Sequence, residues 1–289
     1  MITAGNWRDY ELIDASGGER LERWGKYILV RPDPQAIWDT PRLDPRWNAP
    51  DAHYSRSQSG GGFWTKNSLP QGWKITYREL TFLVRAMNFK HTGIFPEQAA
   101  NWDYIAQKSA GNAGAPLKLL NLFAYTGAAT VAALAAGMEC THVDAAKGMV
   151  SQAKENAAVS GVAERPVRWI VDDCRKFVQR EQRRGKLYDA IIMDPPSYGR
   201  GADGSVWKLE DDLFSFAELT AGVLSDAPKF VIINSYTAGL SPSVMKYIAD
   251  SVFTSRFGGA AIADELGLPV TSNGLVFPCG AVMRWESKA

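Results

Sequence analysis

From Leu117 onward, short apolar runs alternate with stretches of helical periodicity, and this alternation restricts the possible folds more than any other feature of the chain. The pattern predicts strands over Leu117–Phe123, Thr141–Asp144, Val167–Val171, Tyr188–Met193 and Phe230–Asn234. It predicts helices near Ala128–Ala136, Gly148–Ser160, Arg175–Arg184, Asp211–Leu224 and Ser243–Ser255. Two further strands, around Ala260–Ala263 and Cys279–Trp285, would close the sheet. The expected class is therefore α/β, a Rossmann-like seven-stranded, mostly parallel sheet with flanking helices. Leu119 to Met138 runs 20 residues without a charge, the length of a membrane span. Asn121, Tyr125, Thr126, Gly127 and Thr130 interrupt it, so it reads as strand, turn and helix, and no membrane partner is expected.

The first 75 residues have a different texture. Trp7, Trp24, Trp38, Trp47, Trp64 and Trp73 fall here, six of the ten tryptophans in the chain, among short apolar runs such as Tyr27–Val30. Short strands joined by Pro/Gly loops are expected, hence a small β-rich N-terminal domain over 1–75. Asp51 to Leu69, with Gly60-Gly-Gly62, reads as a loop. Trp73–Tyr77 and Leu80–Arg85 alternate like a hairpin, and a connecting segment over 76–115 leads into a core domain over 116–289.

Hydrophobic residues at 46% and charged residues at 22% fit a globular chain with a sizeable core. Lys and Arg number 32 against 31 Asp and Glu, so the net charge gives no global pull toward nucleic acid or membrane, and any such binding must use a local patch. Cys140, Cys174 and Cys279 are too scattered for a disulfide framework, and the N-terminal sequence lacks the apolar run of a secretion signal; a cytoplasmic location is expected. His53, His91 and His142 do not cluster, so no metal is expected.

Open parallel sheets bind ligands outside the carboxyl ends of their strands. The first such loop, Leu119-Leu-Asn-Leu-Phe-Ala-Tyr-Thr-Gly127, turns into a helix with one glycine instead of the G-x-G-x-x-G that a pyrophosphate requires. A nucleoside cofactor without phosphates needs less clearance, and S-adenosylmethionine is the common one. Asp144, seventeen residues after Gly127 at the next strand tip, can accept both ribose hydroxyls. Asp172 and Asp173 end the third strand; one of them can accept the adenine amine, and Asp173 can instead cap the following helix. The fourth strand delivers Asp194-Pro-Pro-Ser-Tyr-Gly199. There Pro195 and Pro196 fix the backbone and remove two donors, leaving carbonyls and Asp194 as rigid acceptors in the crevice, with Tyr198 following.

In combination, Asn121-Leu-Phe-Ala-Tyr-Thr-Gly127, Val143-Asp144, Asp172-Asp173 and Asp194-Pro-Pro-Ser-Tyr198 resemble class I S-adenosylmethionine-dependent methyltransferases, in particular the large-subunit rRNA methyltransferase-like family of cytosine-C5 and guanine-N7 type. His91-Thr-Gly-Ile-Phe-Pro-Glu-Gln98 is similar to that family's segment closing over the methionine end of the cofactor. The resemblance covers about residues 75–289. It implies cofactor contacts from Gln98, Phe123, Tyr125, Thr126, Gly127, Asp144 and Asp172 or Asp173, and a reaction centre at Asp194, Pro195, Pro196 and Tyr198. It implies RNA, in particular rRNA, as substrate.

The chain departs from the family in one chemically decisive respect. Cytosine-C5 methylation needs a thiolate that adds to C6, and similar enzymes carry it after the fifth strand or the double proline. Here those places hold Ser235-Tyr-Thr237 and Ser197. C5 chemistry is therefore not expected, whereas a ring or exocyclic nitrogen already owns its lone pair. Arg200 and Lys208 flank a loop, residues 199–204, that can meet phosphate or stay solvated. Trp64, between the Gly60–Gly62 run and Lys66, is the ring expected to be least packed and available for base stacking. The competing readings are a methyltransferase acting on a protein or small molecule, which the near-neutral charge would suit, and a non-catalytic binding module.

Overall fold

The computed structural model describes every residue except 58–60, 66–67, 88–89, 201–203, 205, 238 and 289. Gly60, Lys66 and most of the loop after Arg200 therefore lie outside the described residues. The chain divides into two compact units, one of residues 2–100 with 267–279, the other of residue 1, 101–266 and 280–289. The sequence placed this boundary at 75, with a separate segment over 76–115.

In the first unit, β1 (Ile2–Thr3) precedes β2 (Tyr10–Ser16), β3 (Glu19–Trp24), β4 (Tyr27–Pro32), β5 (Ala52–Arg56) and β6 (Gly62–Thr65). These last five form one sheet in sequence order, antiparallel except for the parallel β4–β5 pair. The expected hairpin is present as β7 (Trp73–Tyr77) and β8 (Leu80–Val84). Ile13, Leu21, Val30 and Trp47 pack as an apolar cluster, and the Trp47 indole donates to Asp14 Oδ2 at 2.9 Å. Alternation has a polar counterpart here. Glu22 on β3 is fully buried and accepts from Arg31 Nε (2.5 Å), Arg31 Nη2 (2.8 Å) and the Tyr10 hydroxyl (2.8 Å).

The second unit contains α1, which starts in the first unit (Ala99–Ala110), then β9 (Lys118–Leu122), α2 (Ala128–Ala135), β10 (Glu139–Asp144), α3 (Lys147–Val159), β11 (Val167–Val171), α4 (Cys174–Arg183) and β12 (Ala190–Met193). A small hairpin, β13 (Tyr198–Arg200) and β14 (Val206–Lys208), leads to α5 (Leu209–Ala221), β15 (Phe230–Ser235) and α6 (Pro242–Ala249). The last strands, β16 (Ala260–Pro269) and β17 (Val276–Glu286), are longer than the sequence pattern indicated, because residues 267–279 belong to the first unit.

The strand order β16-β17-β15-β12-β9-β10-β11 is parallel from β15 to β11, with β17 antiparallel to β15. The order reverses between β9 and β12, the switch point at which open α/β sheets bind ligands. Leu120, Leu122, Ile191, Met193, Val231 and Ile233 share one face and pack with Phe177, Val178, Leu213 and Phe216 of α4 and α5. The opposite face carries Asn121, His142, Asn234 and Arg284 among its apolar residues, all of them buried. No helix among the described residues is long and apolar enough to cross a membrane.

The Glu22 site makes one stability prediction. Burial, the largest single influence, would raise its pKa, but the charge and hydrogen bonds of Arg31, the Arg20 charge and the Tyr10 hydroxyl together outweigh it and hold the carboxyl below its ordinary value of 4.5. That contribution is complete above 4.5 and is lost as pH falls through the lower folded value. Glu22→Ala leaves Arg31 buried without its counter-charge, so denaturant titration should show a loss of about 3–5 kcal/mol. A loss under 1 kcal/mol would mean that the pair is effectively solvated.

Candidate active site

The register of the parallel strands sets four carboxyl ends side by side. Leu122 pairs with Met193 and with Val143, and Met193 pairs with Ile233. The next residues, Asn234, Asp194, Phe123 and Asp144, therefore form one row along the switch point. Asp172 continues it, its N–H donating to the Asp144 carbonyl at 3.1 Å.

Between β9 and α2 the backbone takes a conformation that ordinary residues avoid. Phe123 (φ 54°), Tyr125 (φ 50°) and Gly127 (φ 79°) are all left-handed, and the first two carry bulky side chains. Asp144 holds this turn: Oδ2 accepts the Tyr125 N–H and Oδ1 the Ala146 N–H, each at 2.8 Å. The Phe123 N–H donates to Cys174 Sγ at 3.2 Å, and Asn156 Nδ2 donates to the Thr126 carbonyl at 2.8 Å. Thr126 itself is buried. An ionised carboxylate offers about four lone-pair sites, so Asp144 keeps two after serving Tyr125 and Ala146. Burial raises its pKa, against the lowering effect of those two N–H groups.

Gly127 serves packing. A Cβ there would sit 2.6 Å from Ala153 Cβ on α3 and 3.4 Å from His142 Cε1. The missing Cβ thus makes room for α3 against the turn. Beneath the turn, Asn121 Nδ2 donates to Thr130 Oγ1 (2.9 Å), which lies 3.0 Å from His142 Nδ1. His142 packs on Trp169, and burial lowers its pKa to about 3, so the ring is neutral at pH 7. This network was not anticipated. The available signal was an Asn and a His at matching positions in adjacent apolar strands.

Asp173 is the N-cap of α4, Oδ1 accepting the Lys176 N–H at 2.8 Å, which is the capping alternative the sequence left open. Asp172 accepts the Asp173 N–H and pairs with Arg180. Of the double proline, Pro195 is buried and Pro196 exposed, and the Asp194 N–H donates to the Leu122 carbonyl at 3.3 Å. The following segment, expected as a loop, is the β13–β14 hairpin. Trp207 faces inward, donating to the Pro196 carbonyl at 2.7 Å with its ring 5.4 Å from both Phe123 and Phe216. Tyr198 and Arg200 face outward, Tyr198 51% exposed and accepting from Arg200 Nε at 3.0 Å.

Gln98 is buried in a short 3-10 turn, Pro96–Gln98, of the first unit. Trp64 is not wholly buried, as the sequence suggested, but it does have packing partners. It is half-buried, donates to the Met87 carbonyl at 2.8 Å and packs edge-on against Tyr54; Phe63 beside it is 60% exposed. All three cysteines are buried, and burial pushes each thiol pKa up. Among the described residues no cluster of His, Cys, Asp or Glu is arranged to hold a metal ion.

The sequence model of S-adenosylmethionine-dependent methyltransferases matches residues 49–219, more than half of the chain. The chain belongs to that family. A SAM-dependent methyltransferase from Agrobacterium tumefaciens is similar in structure, with a TM-score of 0.93 and 36% identity over 99% of this chain and 93% of that one. The ribosomal RNA large subunit methyltransferase K/L of Vibrio cholerae is 32% identical over 129 residues, 44% of this chain and 17% of that protein. Its counterpart in Magnetococcus marinus is 28% identical over 221 residues, 68% of this chain and 29% of that protein. The chain thus spans less than a third of the length of these curated relatives.

Gly127 is a direct test of the packing beneath the turn. Gly127→Ala adds a clash with Ala153 to an unfavourable φ, and equilibrium unfolding should register a loss of about 2–3 kcal/mol. A variant as stable as the parent would show that α2 and α3 are not held at this distance.

Proposed function

We propose that the protein transfers a methyl group to a base of ribosomal RNA, at a nitrogen and without a covalent enzyme–base adduct. The observation that carries this reading is the row of Asp194, Phe123 and Asp144 along the strand ends. Beside it stands the β13–β14 hairpin, which turns an exposed Tyr198–Arg200 pair outward directly after the double proline. An aromatic ring beside a guanidinium suits a base stacked next to a phosphate. The similarity to ribosomal RNA methyltransferases supports RNA as the acceptor class.

In this reading Asp144 accepts both ribose hydroxyls with its two remaining lone-pair sites. The ring of Phe123, the turn residues Tyr125, Thr126 and Gly127, and Asp172 surround the adenosine. S-adenosylmethionine supplies an electrophilic methyl group on a sulfonium centre. Asp194 and the carbonyls of Pro195 and Pro196 accept hydrogen bonds from an amino or ring N–H. They thereby orient the nitrogen lone pair along the methyl-transfer line, with Tyr198 flanking the base. Asp194 also offers an acceptor for the proton that the nitrogen loses. The buried cysteines, with raised pKa values, are poor thiolate nucleophiles.

The function is tested with radiolabelled S-adenosylmethionine and total RNA from a deletion strain. Label should enter rRNA there and not in RNA from the parent, whose sites are already filled; label in the protein fraction alone would overturn the reading. Asp144→Ala should weaken S-adenosylmethionine binding by about 10- to 150-fold, or ~1.5–3 kcal/mol, in calorimetric titration. Because burial raises the Asp144 pKa, wild-type affinity should fall with decreasing pH beginning above the ordinary aspartate range, as protonation removes an acceptor. An affinity that does not fall as pH is lowered toward and through the ordinary aspartate range would contradict that assignment. Replacing Cys140 and Cys279 by Ala or Ser, and Cys174 by Ser so that the Phe123 N–H keeps an acceptor, should leave most turnover intact, whereas Asp194→Ala should cost on the order of 10²-fold. Loss of activity in a folded triple variant would restore a covalent route.

A further inference from the structure

Two consecutive prolines contribute no N–H group, so Pro195-Pro196 cannot be fixed through backbone donors of its own. The β13–β14 hairpin and the start of α5 supply donors instead. The Trp207 indole Nε1–H donates to the Pro196 carbonyl at 2.7 Å, and the Leu209 N–H donates to the Ser197 carbonyl at 3.1 Å. Pro196 is exposed, so water could serve its carbonyl equally well. The indole bond is therefore no requirement of burial; it fixes where the carbonyl points.

The ring of the same side chain meets the turn between β9 and α2. Trp207, Phe123 and Phe216 are mutual neighbours: the Trp207 ring lies 5.4 Å from each of the other two, and Phe123 lies 5.6 Å from Phe216. Phe123 is one of the two bulky residues at positive φ, so the direction of its ring is set by the turn. Trp207 is held in turn. The Arg175 guanidinium sits 5.8 Å from its ring centroid and 5.6 Å from that of Phe216. Asp212 accepts Arg175 Nη2 and the Lys208 N–H, each at 2.9 Å, which fastens β14 to α5 immediately after Trp207. An aliphatic residue at 207 would cover Phe123 and Phe216, but it would leave the Pro196 carbonyl without this donor.

We propose that Trp207 is a positioning residue for methyl transfer: its ring braces Phe123 on the cofactor side while its N–H aims the Pro196 carbonyl on the acceptor side, so that one side chain sets the separation of the two. This rests on the reading of Asp194-Pro195-Pro196 as the acceptor side. A carbonyl has two lone pairs; the indole takes one and leaves the other for the acceptor. Because the ring and the N–H belong to one rigid plane, filling of the cofactor turn is transmitted to the double proline.

Trp207→Phe keeps a ring against Phe123 and removes the N–H. Methyl transfer measured with radiolabelled S-adenosylmethionine should then show kcat lowered about 10-fold, since a small misplacement of the reacting groups is costly, with Tm and calorimetric S-adenosylmethionine affinity close to those of the wild type. Trp207→Ala should lower kcat and weaken cofactor affinity together. An unchanged kcat in Trp207→Phe would overturn the proposal, and so would a loss of cofactor affinity and Tm that matches the loss of turnover, the pattern of a ring that only packs. A second measurement needs no acceptor. The indole N–H NMR signal of Trp207, assigned by its absence from the spectrum of Trp207→Phe, should shift as S-adenosylhomocysteine saturates the wild-type protein; a signal that stays in place at saturation would overturn the proposal. A shifted indole signal in a protein that methylates no RNA would refute RNA as the acceptor and support the role of Trp207.

Discussion

One carboxylate sets the geometry on which the candidate active site depends. Asp144 accepts the N–H groups of Tyr125 and Ala146, and with the Ala124 N–H on the Val143 carbonyl (3.0 Å) it ties the end of β10 to a turn carrying two bulky residues at positive φ. Holding residues in this region costs on the order of 1–3 kcal/mol each, and the surroundings must over-determine them for the conformation to persist. Cys174 beneath Phe123, Asn156 beneath Thr126, and the close seat of Gly127 against Ala153 supply the rest of that determination. The same carboxylate retains lone pairs beyond those two bonds, so in the proposed function the group that builds the turn is also the group that reads the ribose.

The two faces of the parallel sheet are unequal. The face toward α4 and α5 is mainly apolar, its polar cluster being the buried Glu181 of α4, which accepts from Arg168 and the Tyr188 hydroxyl, whereas the other face buries two polar networks. One joins Asn121, Thr130 and His142 under the cofactor turn. The other joins Asn101, Asn234 and Arg284: Asn101 Nδ2 donates to Asn234 Oδ1 at 2.9 Å, and Arg284 donates twice to Asn101 Oδ1 at 3.0 and 2.8 Å. Buried polar groups are costly unless satisfied, and when satisfied they specify one arrangement in place of many similar apolar packings. Both networks lie just below the strand ends that carry Phe123 and Asn234, where a displacement of an ångström would matter most to methyl transfer.

Much of this was legible in the chain because periodicity and strand-end chemistry are local properties. The five parallel strands follow from apolar runs, Asp144 from the acidic residue that ends the second of them, and the single glycine after β9 already argued against a pyrophosphate. Other features depend on partners far apart in sequence. Period-two alternation puts Phe63 and Trp64 on opposite faces of β6 but cannot say which face is covered, and it is Trp64 that finds Met87 and Tyr54. The β13–β14 hairpin has strands of three residues, too short to read, and is held by Trp207 packing on Phe123 and Phe216. Whether Asp173 faced a ligand or its own helix depended on backbone geometry, and the backbone places it at the cap.

The central claim is that this protein, before any ligand arrives, already holds the turn between β9 and α2 in its binding conformation through Asp144. Crystal structures of the protein alone and with S-adenosylhomocysteine test it most directly. The account predicts positive φ at Phe123, Tyr125 and Gly127 in both, with the ribose hydroxyls on Asp144 and the bonds to Tyr125 and Ala146 retained. A turn that relaxes to negative φ in the ligand-free crystal, or a ribose bound away from Asp144, would contradict it.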